Sequence, residues 1–176
     1  MLNITRGQVW VETVLYTLIG LSLIAVVLVF ATPKINEAKD RIAIEQSIES
    51  MQLLGDKIDS VLSSGSGTRA IVPALTIKRG KLFILPSDKT IRLDIDNLNL
   101  LFSESGVEIP FGRVNVKSLE GQKYNSVSII LKFNAHLEYA GATDNKTLSS
   151  SATPYKISLE KRIDNNEAIV NIQSFS

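Results

Sequence analysis

RGQVWVETVLYTLIGLSLIAVVLVFAT, residues 6–32, decides how the rest of the chain is read. From Thr13 to Thr32 it runs 20 residues without a charge. About 20 apolar residues in a helix span a hydrocarbon core of roughly 30 Å. A secretory signal peptide has a shorter apolar core followed by a small-residue cut site. Here the run is longer, and the sequence beyond it keeps a helical pattern. A buried helix of a soluble protein fits poorly, because a chain of 176 residues has no core large enough to enclose an all-apolar helix of this length. The run predicts a retained, single-pass membrane helix. One acid, Glu12, stands at its start, with no neighbouring Lys or Arg on the helix. A carboxylate in hydrocarbon costs roughly 3 kcal/mol on insertion scales. Its partner is therefore expected from another molecule, which points to a subunit that leaves the bilayer and packs against copies of itself.

Beyond Pro33 the pattern changes but stays helical. Ile35, Ala38, Ile42, Ile48, Met51, Leu54, Ile58 and Val61 recur at spacings that keep one face apolar, with Ile44 bridging the widest step. Lys34, Glu37, Lys39, Asp40, Glu45, Glu49, Asp56 and Lys57 form the other face, and Glu37 to Arg41 has the favourable four-residue spacing. A helix from Gln8 to Ser63 would be about 84 Å long at 1.5 Å per residue. Pro33 is a candidate kink, since it removes one backbone hydrogen bond. Gly55 weakens the stretch slightly. SSGSG at 63–67 then ends the helix and reads as a flexible linker.

Everything after the linker reads as β. Short runs rich in Ile, Val, Leu and Phe alternate with turn residues. They predict strands at Ala70–Lys78, Lys81–Leu85, Thr90–Asp96, Val107–Pro110, Arg113–Ser118, Asn125–Phe133, Ala135–Tyr139, Tyr155–Arg162 and Ala168–Gln173. Pro73 restricts the first of these to a sheet edge. Turns are expected at Arg79-Gly80, Phe111-Gly112, Glu120-Gly121 and Asp164-Asn165-Asn166, and residues 140–153 read as a polar loop. There are no internal repeats. The expected architecture is α+β: a long N-terminal helix, half transmembrane and half amphipathic, packed on a C-terminal all-β head of the sandwich kind. Its divisions are 1–7, 8–63, 64–67 and 68–176, with Ile48, Met51, Leu54 and Ile58 buried against the head.

Composition narrows the chemistry. A net charge of +1 gives no electrostatic case for nucleic acid. With no cysteine there are no disulfides, thiolate metal sites or Cys nucleophiles. His136 is the only histidine and reads as a polar position on a strand. Asp94, Asp96 and Asn97 in LDIDNLN cluster oxygens, but the loop glycine and terminal bidentate acid of an EF-hand are missing. The GSG at 65–67 lacks the Lys-Ser/Thr of a phosphate loop. Asn145-Lys146-Thr147 fits the N-glycosylation acceptor pattern in an exposed loop; Asn3-Ile4-Thr5 fits it too, but on the side expected to face the cytoplasm. No constellation suggests catalysis, and no metal or cofactor is expected.

Arg6-Gly7-Gln8, followed by Glu12 and the apolar helix, resembles the class III signal sequence of type IV prepilins, the archaeal ones in particular. Trp10 stands where that pattern usually has Ser, and Tyr16 where it usually has Leu. The resemblance covers residues 5–30 in sequence and the whole chain in architecture. It implies a leader, Met1 to Gly7, removed by a membrane-embedded prepilin peptidase on the cytoplasmic side, leaving Gln8 as the new N-terminus and Glu12 as the fifth residue. It implies that residues 8–32 lie first in the membrane, with the N-terminus cytoplasmic, and then self-associate in a helical filament on the cell surface. An assembly ATPase and its membrane platform would be the machinery, and adhesion or motility the use. Glu12 would meet the new α-amine of a neighbouring subunit. Arg6 agrees with a cytoplasmic N-terminus, while Lys34, Lys39 and Arg41 on the far side oppose it; the cut site decides for the cytoplasm. Two other readings share the same plan: a minor pseudopilin, and an uncleaved single-pass anchor for an extracytoplasmic β-domain.

Overall fold

The structure, a computed structural model, describes residues 4–164 and 167–175, and for residues 4–8 the backbone alone. One helix, α1 (Ile4–Ser63), is followed by ten strands. They are β1 (Arg69–Leu75), β2 (Lys81–Leu85), β3 (Thr90–Leu98), β4 (Glu108–Phe111), β5 (Val114–Leu119), β6 (Asn125–Lys132), β7 (His136–Tyr139), β8 (Lys146–Ser149), β9 (Tyr155–Asp164) and β10 (Glu167–Phe175). The helix passes through Pro33 without interruption and already includes Ile4 to Gly7, so it begins before the Gln8 expected from sequence. The chain divides into two compact units, one ending at Lys39 and one beginning at Asp40. The second half of α1 thus belongs to the β-rich unit.

In that unit the strands form two sheets, ordered β1-β9-β10-β7 and β4-β5-β6-β3-β2-β8. This is the α+β plan with a β head. Pairing is antiparallel except for β7 against β10. β1 lies on a sheet edge as Pro73 requires, and its register shifts between Val72 and Leu75 around that proline. Both sheets and the helix supply one core. Ile44, Ile48, Met51, Leu54, Ile58 and Val61 of α1 share it with Leu82, Ile91, Ile129, Leu131, Leu159 and Val170. Gly55 does more than weaken a helix: a Cβ there would come within 2.8 Å of the Leu131 side chain, so glycine sets how closely α1 approaches β6. Leu54 is 2 % exposed. Leu54→Ala is expected to destabilise the head by about 2–5 kcal/mol through lost transfer energy and the cavity left behind, measured by denaturant unfolding followed by circular dichroism.

Three expectations change. Ile35 and Ile42 of the apolar face are 51 % and 52 % exposed, and the buried stripe starts only at Ile44. The segment at 140–153 is not all loop. It holds β8, which pairs with β2 from Lys81 to Ile84 and closes that sheet edge. It escapes a hydrophobic pattern because Leu148 is its only buried apolar side chain. Nor is 64–67 a loose linker. Gly67 N–H donates to Lys161 O at 2.8 Å, and Lys161 Nζ donates to Leu62 O and Ser64 O at 2.5 and 2.6 Å. Carbonyls at a helix C-terminus lack partners within the helix and carry partial negative charge; the Lys161 ammonium supplies both needs from β9. The turns at Gly80 and Gly112 are present, with φ of 92° and 58°. A Cβ on Gly80 would sit 2.1 Å from Asp94 O. Asn165 and Asn166 of the fourth expected turn lie outside the described residues.

Candidate functional site

Among the described residues the unit ending at Lys39 is helix alone, and its described apolar side chains are uncovered. From Val9 to Phe30 the large hydrophobic residues are exposed, Trp10 at 70 % and Phe30 at 73 %. The helix is long and apolar enough to cross a membrane, and none of its most apolar window is buried within the protein. In water such a surface is unfavourable by roughly 25 cal/mol per Å², so lipid or other protein must cover it.

The threonines and serine of the apolar run differ from its acid. Thr13, Thr17, Ser22 and Thr32 each donate a hydroxyl to the carbonyl one turn earlier, at 2.9, 2.8, 2.7 and 2.7 Å. Their polarity is satisfied within the helix, which removes most of the cost of placing them in hydrocarbon. Glu12 cannot do this, because an ionised carboxylate only accepts and the carbonyls of its own helix only accept as well. Among the described residues no ion pair reaches it; the nearest pair on this helix, Lys34 with Glu37 at 2.8 Å, lies past the apolar run. Gly7 and Gln8 are in the helical backbone one turn before Glu12. Met1 to Asn3, which include the asparagine of Asn3-Ile4-Thr5, lie outside the described residues.

Asn145 is exposed, directly before the edge strand β8. The acceptor triplet Asn145-Lys146-Thr147 is thus open on the surface. Lys146 Nζ rests 5.2 Å from the Tyr139 ring. His136 lies on β7 with Nε2 2.6 Å from Glu167 Oε2. Asp94 accepts from Arg92 Nε at 3.0 Å and from Ser128 Oγ at 2.7 Å. Among the described residues no group of three or more His, Asp or Glu side chains is placed to share a metal.

Sequence periodicity misplaced Asp40. It belongs to the polar face by spacing, yet it is buried at 3 % exposure. One carboxylate oxygen accepts from Arg79 Nη1. The other accepts from the Asn99 backbone N–H at 2.6 Å and from Asn99 Nδ2 at 2.9 Å. Arg79 also donates to Asn97 O. Burial pushes the Asp40 carboxyl up, but the two Asn99 donors and the Arg79 guanidinium together outweigh it and hold the pKa below the ordinary 3.8. A second pair, Arg113 with Asp59, fastens the helix further along, with Arg113 stacked 4.9 Å from the Phe133 ring. Since the folded value of Asp40 is the lower one, its contribution is complete above the unfolded value of about 3.8 and is lost as pH falls through the folded value. Asp40→Ala is expected to cost about 1–3 kcal/mol at neutral pH, with Arg79 partly solvated and the Asn99 N–H left unpaired. Thermal unfolding across the acid range checks the sign: the gap between wild type and variant should close as pH falls below the ordinary carboxylate range.

Comparison with protein-family models, curated proteins and solved structures finds no match to the chain.

Proposed function

We propose that the chain is a structural subunit of a type IV pilus-like surface filament, assembled through its N-terminal helix after a prepilin peptidase cuts between Gly7 and Gln8. The observation that carries this reading is Glu12: a lone acid, unpaired among the described residues, fifth after the Gly7-Gln8 junction, on an apolar run whose threonine and serine hydroxyls are satisfied within the helix. A plain anchor has no use for that charge. A filament does, because removal of Met1 to Gly7 creates an α-amine on Gln8 that a neighbour's Glu12 meets in a dry core. The exposed apolar side chains from Val9 to Phe30 first face lipid and then one another, so the same surface serves membrane and filament. In this reading the role is structural. Mass spectrometry of filaments sheared from the cell surface tests it. Abundant head peptides, together with an N-terminal peptide beginning at Gln8, support a major subunit; their absence from the sheared fraction moves the reading to a minor pseudopilin or an anchored domain.

A further inference from the structure

The outer face of the six-stranded sheet holds a hollow of about 420 Å³ at its centre. Its floor is β3. Lys81 of β2 stands opposite Asp94 of β3, and Asp94 opposite Ser128 of β6. One row along, Phe83 stands opposite Arg92. On the other side the rim is Asp96, with Ser126 of β6 opposite Leu119 of β5.

Two features make this a built arrangement. The first is internal bracing. Arg92 Nε and Ser128 Oγ both donate to Asp94, and the Arg92 guanidinium lies 5.3 Å from the Phe83 ring. The cluster is pre-oriented, which lowers the cost of ordering side chains on binding. The second is a β-bulge. The β3–β6 register shifts between Ile95 and Leu98, with Asn97 at φ 58° and its carbonyl accepting from Arg79. Bulges re-aim side chains beside binding sites, and Asp96 stands at this one.

The lining selects the ligand class. Two carboxylates (Asp94, Asp96) repel phosphates and nucleic acid. Two cations (Lys81, Arg92) repel metal ions. The four charges cancel, and the only apolar surfaces are Phe83 and Leu119, too little for a hydrophobic molecule. Among the described residues Lys81 and Asp96 form no ion pair, so each keeps charge-assisted hydrogen bonds for a ligand. A neutral polyol fits: vicinal hydroxyls donate to Asp96 and accept from Lys81 and Arg92, while the C–H face lies on Leu119 and the Phe83 edge. We propose that this hollow binds a neutral saccharide, giving the head a glycan-recognition site distinct from the N-terminal helix.

The test uses the full chain in an amine-oxide detergent, which carries no sugar headgroup. Saturation-transfer NMR is run with the methyl glycosides of glucose, galactose, mannose and N-acetylglucosamine as probes. Transfer to at least one is expected. Asp96→Ala, at an exposed position outside the core, should weaken that glycoside about tenfold, the effect of losing one hydrogen bond to a charged group. Glu49→Ala, an exposed acid on the helix, should leave it unchanged. No transfer to any of the four, an affinity unchanged by Asp96→Ala, or equal weakening in both variants overturns the proposal.

Discussion

Gly7→Val is expected to leave the whole chain uncut and to exclude it from filaments. The proposed cut between Gly7 and Gln8 would need a backbone that fits a narrow subsite, and a β-branched side chain at Gly7 would fill that space and stiffen χ1. The helix makes the demand sharper. It already includes Ile4 to Gln8, so under the proposed processing a peptidase would have to unwind this turn before reaching the bond. Glycine lowers the cost of unwinding by about 1 kcal/mol relative to alanine. Valine keeps a similar helix preference to other ordinary residues and removes that help. The uncut chain also keeps Arg6 and lacks the α-amine on Gln8, so it has nothing to offer a neighbour's Glu12. Intact-mass analysis of membranes and sheared fibres gives the outcome directly: the variant should carry Met1 to Gly7 in membranes and be missing from fibres. Assembled fibres whose subunits retain Met1 to Gly7 would overturn the processing step for the wild type as well.

Much of the head was legible because one physical rule governs each part. KLFIL alternates, and β2 has the bounds that alternation predicts. ISLEKRI alternates, and β9 runs through it. Ile48, Met51, Leu54 and Ile58 recur at helical spacing, and all four are buried. The misses share a different cause: they depend on partners distant in sequence. Asp40 is buried because Arg79, 39 positions away, and Asn99, 59 positions away, come to it. Nothing local distinguishes it from Glu45 or Glu49, which stay exposed. β8 is a strand because β2 offers it an edge, and only one of its residues is both apolar and buried. The turn after α1 is ordered because Lys161 reaches it from 97 positions away. In the candidate site the balance reverses. Glu12 stood out from the sequence alone, because a charge in an apolar run needs no partner on the same chain to be anomalous. What the structure adds is the contrast with Thr13, Thr17, Ser22 and Thr32, whose hydroxyls the helix satisfies.

Glu12→Ala separates the filament subunit from the plain anchor, because the two readings give effects of opposite sign. Glu12 lies one turn from Gln8, so in a monomeric anchor it would sit near headgroup level and cost little. Replacing it there favours insertion, by up to roughly 3 kcal/mol if the carboxylate lies deeper. In a filament the same change removes one partner of a desolvated pair and leaves the Gln8 amine of the neighbour uncompensated. Breaking such a pair costs about 3–5 kcal/mol, which at equilibrium is a depletion of at least about a hundredfold. Cleavage itself should continue, since Gly7 and Gln8 are untouched. When the variant is coexpressed with wild type, both should be present and processed in membranes, while sheared fibres contain wild type almost alone. Glu12→Gln sharpens the result. It keeps the shape and a hydrogen-bond acceptor but not the charge, so partial entry into fibres would assign the remainder to electrostatics. Equal ratios of Glu12→Ala to wild type in membranes and fibres would remove the assembly role and leave the anchored domain as the better reading.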